Sequence, residues 1–414
     1  MVVIGTTTGQ TYVAGPLLSR AGEGAVYRLD GIPSLLLKIF DRPLSKRTVQ
    51  KINSLAQLAC KPAHTAIPLE SVYDPATKAL VGFVQEYFSR TVPLTRVLDS
   101  NGRTSLRMPD DLGTRITLCL LLAEAFARIH ATDLVVGDVS CGNLLLGFTR
   151  FRRIEAIYGI DCNSFQLTIR TPHGTETFVS GVATEEYAAP EVQPTDWATS
   201  NRSVYSDSFG LAVLTWKILF NGSHPFAVVT PRSVDVPPLG KRIEDRLFPF
   251  SPASPLPPGW SAPTLTPSLA VLPSDIREMF FRTFSSADAR DRPTSDEWAD
   301  AFRAWALAVK PSLAFRFLGA WNGSVSDRLA TCLTRLKPWT GRIMVFAGLM
   351  LLTLSYSRLE STPSKAKSRT NVPSESAPFF TLFDPPRSKS TRPRVVDSEL
   401  FPELVRKSSA SKKE

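Results

Sequence analysis

The residues best placed to do chemistry lie in the stretch Val136-Gly137-Asp138-Val139-Ser140-Cys141-Gly142-Asn143, which runs into three leucines. Asp138 precedes Asn143 by five positions, and a second acid, Asp161, follows in Ile160-Asp161-Cys162-Asn163 on an apolar, strand-like segment. A carboxylate that accepts a hydroxyl proton, with an Asn and a second carboxylate able to hold Mg2+, is the set that phosphoryl transfer needs. Taken alone, Asp-x-x-x-x-Asn is also the make-up of an ordinary turn, because both residue types favour loop backbone. The surrounding elements have to decide between the two.

Upstream, the pattern is of strands joined by turns. Ala21-Gly22-Glu23-Gly24-Ala25-Val26-Tyr27 leads to an Asp30-Gly31 turn and then to Leu35-Leu36-Leu37-Lys38-Ile39-Phe40, an apolar strand with one cation in it. Glycines at 22 and 24 leave backbone N–H groups open to phosphate oxygens, since no Cβ blocks the approach. A Lys inside an apolar strand needs an anionic partner, and an ATP phosphate is one. Residues 44–59 carry Val49, Ile52, Leu55, Ala56 and Ala59 at helical spacing, with Pro62 beyond. No Asp or Glu occurs between Arg42 and Leu69, so this helix brings no acid to Lys38; Asp161, Glu70, Gln50 and Gln57 are the alternatives. Asp74-Pro75-Ala76-Thr77 reads as a hairpin turn, and the chain to this point as a small antiparallel sheet with one helix.

Beyond Phe88 the pattern becomes mostly helical. Asp111 to His130 is a long apolar helix whose Glu124 and Arg128, four apart, argue for a buried helix rather than a membrane span. Tyr205 to Phe220 is a second, with Ser206 or Asp207 placed to cap it and Asn221-Gly222 to end it. A Pro-rich stretch, about 228–273, reads as a long ordered loop or a mobile insertion, followed by helices over 274–284 and 295–309.

In this order the landmarks resemble a eukaryotic-like Ser/Thr protein kinase of the divergent, bacterial type, over residues 10–306. Ser19-x-Ala21-x-x-Gly24-x-Val26-Tyr27 is similar to the phosphate-covering loop, and Lys38 to the strand lysine that pairs ATP phosphates. Gln85-Glu86-Tyr87-Phe88 resembles the hinge that reads adenine, with Glu86 and Phe88 offering backbone groups. Asp138 is similar to the catalytic base, and Asn143 and Asp161 to the metal ligands. Ala189-Pro190-Glu191 resembles the end of the activation segment. Asp207 resembles the aspartate that anchors the catalytic loop, and Arg292 the partner of Glu191. The resemblance implies an α+β bilobal kinase-like fold: a small antiparallel sheet with one helix over 1–88, and a mainly helical part over 89–306. It further implies ATP and Mg2+ as cofactors, protein Ser/Thr hydroxyls as acceptors, and a cytoplasmic kinase part.

The departures favour the alternative of a nucleotide-binding pseudokinase or regulatory scaffold. Ser19 and Ala21 stand in place of glycines, Val136-Gly137 in place of His-Arg, and Ser140 in place of the lysine two after the base. Asp161-Cys162-Asn163 stands in place of Asp-Phe-Gly. The kinds of acceptor are narrowed by Ala-Pro-Glu and by Ser206-Asp207-Ser208-Phe209-Gly210, which small-molecule kinases generally lack.

At 414 residues with 43% hydrophobic content the chain has room for two or three domains, or one large domain with appendages. Half of the net charge of +10 lies in residues 358–414, which leaves a weak basic footprint elsewhere. With no aromatic-and-basic signature and no zinc spacing, no nucleic acid partner is expected. Cysteines at 60, 119, 141, 162 and 332 have no CxxC spacing and suit a reducing compartment. The first ten residues lack a basic region and a long apolar run, so no signal peptide is indicated. After a linker over 307–342, residues 343–357 are apolar and, extended by their neighbours, approach the roughly 18–20 that span a bilayer. They are read as a single membrane anchor, and 358–414 as a disordered basic tail.

Overall fold

The computed structural model describes residues 1–172, 174–231, 235–251 and 256–309. The expected membrane segment at 343–357, the tail and the linker beyond residue 309 lie outside these residues. Among the described residues no helix is long and apolar enough to cross a membrane.

The first part of the chain corrects the expected fold. Strands β1 (Val2–Gly5), β2 (Thr11–Ala21), β3 (Gly24–Leu29) and β4 (Leu35–Phe40) are followed by helix α1 (Lys46–Ala56) and by β5 (Glu70–Tyr73) and β6 (Leu80–Glu86). They form a closed antiparallel barrel in the order β1-β2-β3-β4-β6-β5, where the small antiparallel sheet of a bilobal kinase-like fold was expected. The closing element is β1. Val3 pairs with Tyr12 of β2, while Ile4 and Gly5 pair with Tyr73 and Val72 of β5, so the sheet has no free edge. Val3, Tyr12, Leu29, Leu37, Val72 and Val84 fill the interior.

Glu70 fastens this closure. Its carboxylate accepts from the backbone N–H groups of Thr7 (2.7 Å) and Thr8 (2.6 Å), from the Thr8 hydroxyl (2.9 Å) and from the Tyr12 hydroxyl (2.8 Å). It is therefore committed to the β1–β2 turn and is not the partner of Lys38. Burial alone would raise its pKa, but these bonds together hold it below the ordinary carboxylate value. A depressed folded-state pKa adds stability that is full above the unfolded pKa and is lost as pH falls through the folded one. Acid denaturation followed by circular dichroism checks this. Glu70→Gln should be destabilised at neutral pH by about 1–3 kcal/mol and lose part of the wild-type acid dependence.

The second part is not simply helical. It contains β7 (Thr91–Pro93), α2 (Ser100–Ser105), α3 (Leu112–His130), β8 (Leu134–Val135), β9 (Leu144–Phe148), β10 (Ile154–Gly159), β11 (Gln166–Thr171) and β12 (Gly174–Phe178). Then come α4 (Val204–Leu219), α5 (Leu239–Glu244), α6 (Ser274–Ser285) and α7 (Ser295–Val309). Two three-stranded sheets, β10-β9-β7 and β12-β11-β8, flank the segments that carry Asp138 and Asp161. The core lies among α3, α4, α6 and α7. Trp216 of α4 is fully buried and meets Phe220, Phe248, Phe280 and Phe284. Phe248 comes from the Pro-rich stretch, so that stretch contributes side chains to the core.

Two local expectations change. Ser203 caps α4 through a reciprocal box with Ser206, which frees Asp207 for other contacts. Glu124 of α3 pairs with Arg303 of α7 at 3.0 Å rather than with Arg128.

Candidate active site

β4 positions Lys38 through the strand period. Leu37 points into the barrel, so Lys38 points out of it, opposite Phe83 of β6 and near the rings of Phe40 and Phe83. Lys38 is 7% exposed. Its Nζ donates to Asp161 Oδ1 and to Asn163 Oδ1 (2.8 Å), with Glu23 Oε2 at 3.9 Å. Of the partners left open by the sequence it is thus Asp161 that meets the lysine, helped by Asn163, which had no assigned role. Gln50 instead bonds Glu176 at 3.2 Å.

The other barrel residues take these places. Gly22 lies in the β2–β3 turn with open space around it. Gly24 pairs with Phe40 of β4, and a Cβ there would sit 2.1 Å from the Ile39 carbonyl oxygen, so close strand packing alone requires a glycine. Val26 pairs with Lys38 across β3 and β4. Glu86 ends β6 exposed, the Tyr87 N–H donates to Ser34 O (2.8 Å), and Phe88 packs against Tyr158 with ring centroids 4.5 Å apart and the planes tilted by 37°.

Asp138 sits between β8 and β9. Its Oδ1 accepts from the Thr184 hydroxyl at 2.8 Å, and its Oδ2 from Asn143 Nδ2 at 3.3 Å. Burial raises the Asp138 pKa, the bonds from Thr184 and Asn143 oppose this, and the nearby Asp161 charge adds to the rise. The result favours a carboxylate able to take up a proton. Because Asn143 spends its amide N–H on Asp138, its Oδ1 is left as an acceptor.

Asp161 follows β10 in the left-handed region at φ 58°, which turns the chain sharply before Cys162 enters the core. The Ile160 N–H donates to the Asn143 carbonyl at 2.9 Å and holds the two segments side by side. The Asp161 side chain is 42% exposed, with only Oδ1 bonded to the described residues. Two neighbouring oxygen donors with an open carboxylate suit Mg2+, which takes one or two protein ligands and completes its shell with phosphate and water. Among the described residues no group of three His, Cys, Asp or Glu forms a cage that would hold a metal by itself.

Asp207 holds the loop from α4. Its carboxylate accepts from the Val136 N–H (2.7 Å), the Gly137 N–H (2.9 Å) and, at 3.0 Å, faces His130 Nε2. Gly137 has φ 73°, and a Cβ there would lie 2.6 Å from Ser180 Cβ, so no larger residue fits without moving the 180 segment. Glu191 and Arg292 form a two-pronged pair with both distances 2.7 Å, although they are far apart in sequence. Ser140 caps the following turn through the Gly142 N–H at 3.2 Å.

Reading the sequence missed Lys51 of α1. This buried amine donates to the Ser164 carbonyl (3.1 Å) and the Val179 carbonyl (2.9 Å), on either side of the β11–β12 hairpin. Arg47 and Gln50 reach Thr177 O and Glu176 on the same hairpin. The available signal was the alternation in Gln166-Leu167-Thr168-Ile169 together with the turn near Gly174. The acid-free helix thus ties down the segment after Asp161 rather than holding Lys38. Burial lowers the Lys51 pKa to about 8, although Glu23 and Asp161 partly offset this. The folded-state pKa is depressed, so stability should rise with pH between about 8 and the unfolded value near 10.5. Lys51→Met should abolish that rise and speed amide exchange over 164–180, with unfolding and hydrogen exchange as the measurements.

No family model matches the chain. Over 304 residues it is 28% identical to a protein named protein kinase YegI from Escherichia coli K12, and equally to its namesake from Escherichia coli O157:H7. The match takes in 72% of this chain and 45% of each relative, so it spans about half the length of the curated relatives. By homology to a named protein kinase, the chain is kinase-like.

Proposed function

We propose that the chain is an ATP-dependent protein kinase that transfers the γ-phosphoryl group to Ser or Thr hydroxyls. The observation that carries this is the convergence of Lys38, Asp138, Asn143 and Asp161 from three separate segments, linked by the Lys38–Asp161, Asn143–Asp138 and Ile160–Asn143 hydrogen bonds. Asp138, raised in pKa by burial, accepts the proton of the acceptor hydroxyl and orients it, with Thr184 fixing the carboxylate from the other side. Lys38 orients ATP phosphates, Gly22 leaves room for them, and the backbone of residues 86–88 reads the base. Asn143 and Asp161 would hold Mg2+, which when bound offsets phosphate charge. Asp207 and the Glu191–Arg292 pair keep the loop and the 184–191 segment in place.

The test is incubation of the full chain with γ-labelled ATP and Mg2+, alone and with a general Ser/Thr acceptor protein. Label on Ser or Thr that disappears on chelation of the metal is the expected result. Thermal stabilisation by Mg-ATP with no label transferred would instead assign the chain to nucleotide-binding pseudokinases.

A further inference from the structure

Neither β4 nor α1 contains an acid that could hold Lys38. Its Nζ is held instead from the turn after β10, by Asp161 Oδ1 and by Asn163 Oδ1 at 2.8 Å. An ammonium has three N–H donors, so these two bonds fix its direction and leave one for a further acceptor. Glu23 is no fixed substitute, because its carboxylate stands 3.9 Å away on a side chain 61% exposed to water.

The two acceptors differ in what else they serve. Asp161 is charged, partly open to water and the carboxylate best placed for Mg2+, so Lys38 has to share it. The Asn163 side chain makes no other hydrogen bond among the described residues. Being neutral, it orients the ammonium without cancelling the charge that attracts phosphate. Its backbone is pinned on both sides. Cys162 before it is fully buried. After it, the Ser164 hydroxyl and N–H both donate to the Asp161 carbonyl, at 2.9 and 3.1 Å, and the Ser164 carbonyl accepts from Lys51 of α1 at 3.1 Å. Helix α1 thus reaches Lys38 through a backbone carbonyl and an amide, where an acid would have reached it directly.

We propose that Asn163 is the positioning residue for Lys38, filling the place of the missing acid on α1, so that the lysine stays directed at the ATP phosphates while Asp161 is shared with Mg2+. The assignment rests on the proposed function for its nucleotide. Asn163 suits the task because it has one cation to serve and a backbone fixed from the core and from α1.

The test uses two readouts that need no turnover, both on the full chain. The first is calorimetric titration with Mg2+ and an ATP analogue whose β–γ bridge cannot be hydrolysed. Asn163→Leu, similar in volume but without an acceptor, should lower affinity about tenfold, the size of one hydrogen bond to a charged group. Asn163→Gly, which empties the position instead of filling it, should do the same and serves if Asn163→Leu does not fold. In a Lys38→Met background neither substitution should cost anything further, because the partner is gone. The second readout is the rate at which Lys38 is modified by a small acylating reagent in the free chain, followed by mass spectrometry. It should rise several-fold in Asn163→Leu and Asn163→Gly, where the amine is held by one bond fewer, and stay low in Asn163→Asp, which keeps an acceptor oxygen. Unchanged nucleotide affinity in both folded variants overturns the proposal, as does an unchanged acylation rate. A loss as large in the Lys38→Met background as in the wild type overturns it too, since Asn163 would then act elsewhere. A wild type that binds no nucleotide, with the acylation difference intact, counts against the proposed function and leaves Asn163 as the holder of Lys38. Binding without phosphoryl transfer bears on the kinase reading alone.

Discussion

Asp138→Asn should lower the rate of phosphoryl transfer by about 10³-fold, within the range that a positioned general base contributes. The substitution is nearly isosteric, and the side-chain oxygen that accepts from the Thr184 hydroxyl at 2.8 Å is retained. What is lost is the ability to take up a proton, together with the negative charge that orients the acceptor hydroxyl. The Asn143 amide, now 3.3 Å from a group that can be oxygen or NH2, keeps its second bond to the residue 138 carbonyl, also at 3.3 Å. Lys38, Asn143 and Asp161 are untouched, so affinity for Mg-ATP should change little. Initial rates with labelled ATP, paired with calorimetric titration of Mg-ATP, check both halves. A mutant that labels as fast as the wild type would remove Asp138 from the role of base. A mutant that also loses ATP affinity would show that residue 138 supports the fold of the loop rather than the chemistry. Because burial raises the Asp138 pKa in the free protein, the wild-type rate should fall on the acid side from a pH above that expected of an exposed Asp.

The loop that carries this prediction was legible for a physical reason. Asp138, Asn143 and Asp161 are short-range features, each set by residue type and by spacing within one turn or strand. Lys38 was legible because an apolar strand makes a cation conspicuous. Its partner was narrowed to a few groups but not chosen, since the choice depends on where Glu70 goes. That in turn depends on β1, four residues whose pairing with β5 joins segments almost seventy positions apart. A short strand with only Val, Val and Ile to mark it carries too little periodicity to announce such a pairing, and so the closure of the sheet into a barrel was not foreseen. The missing acid in α1 was visible in the sequence. Its complement, Lys51 bonded to two carbonyls, was not, because backbone acceptors leave no trace in side-chain patterns. Thr184 belongs to the same class: its meaning lies in Asp138, which meets it from a distant segment.

Glu191 and Arg292 show how the same geometry predicts an asymmetry in stability. Arg292 is fully enclosed, stacked over Phe209 at 5.5 Å and bonded also to the Tyr205 carbonyl at 3.1 Å, whereas the Glu191 side chain is 38% exposed. Glu191→Gln leaves a guanidinium stranded in the interior, and it should cost about 3 kcal/mol, the lower end for breaking a buried pair. Arg292→Met keeps most of the buried volume and leaves a carboxylate that can turn to water, so it should cost less, about 1–2 kcal/mol. Urea unfolding of the two variants gives the order, and a larger loss in Arg292→Met would sink the argument. Acid titration adds an independent reading. Burial tends to raise the Glu191 pKa, but the two bonds from Arg292 hold it below the ordinary value. The pair therefore contributes fully above the unfolded carboxylate pKa and loses its contribution as pH falls through the folded one. In Arg292→Met the carboxylate has no such partner, so the acid limb attributable to residue 191 should move upward in pH. The double variant Glu191→Gln, Arg292→Met should recover part of the loss of Glu191→Gln alone, because the stranded cation is gone.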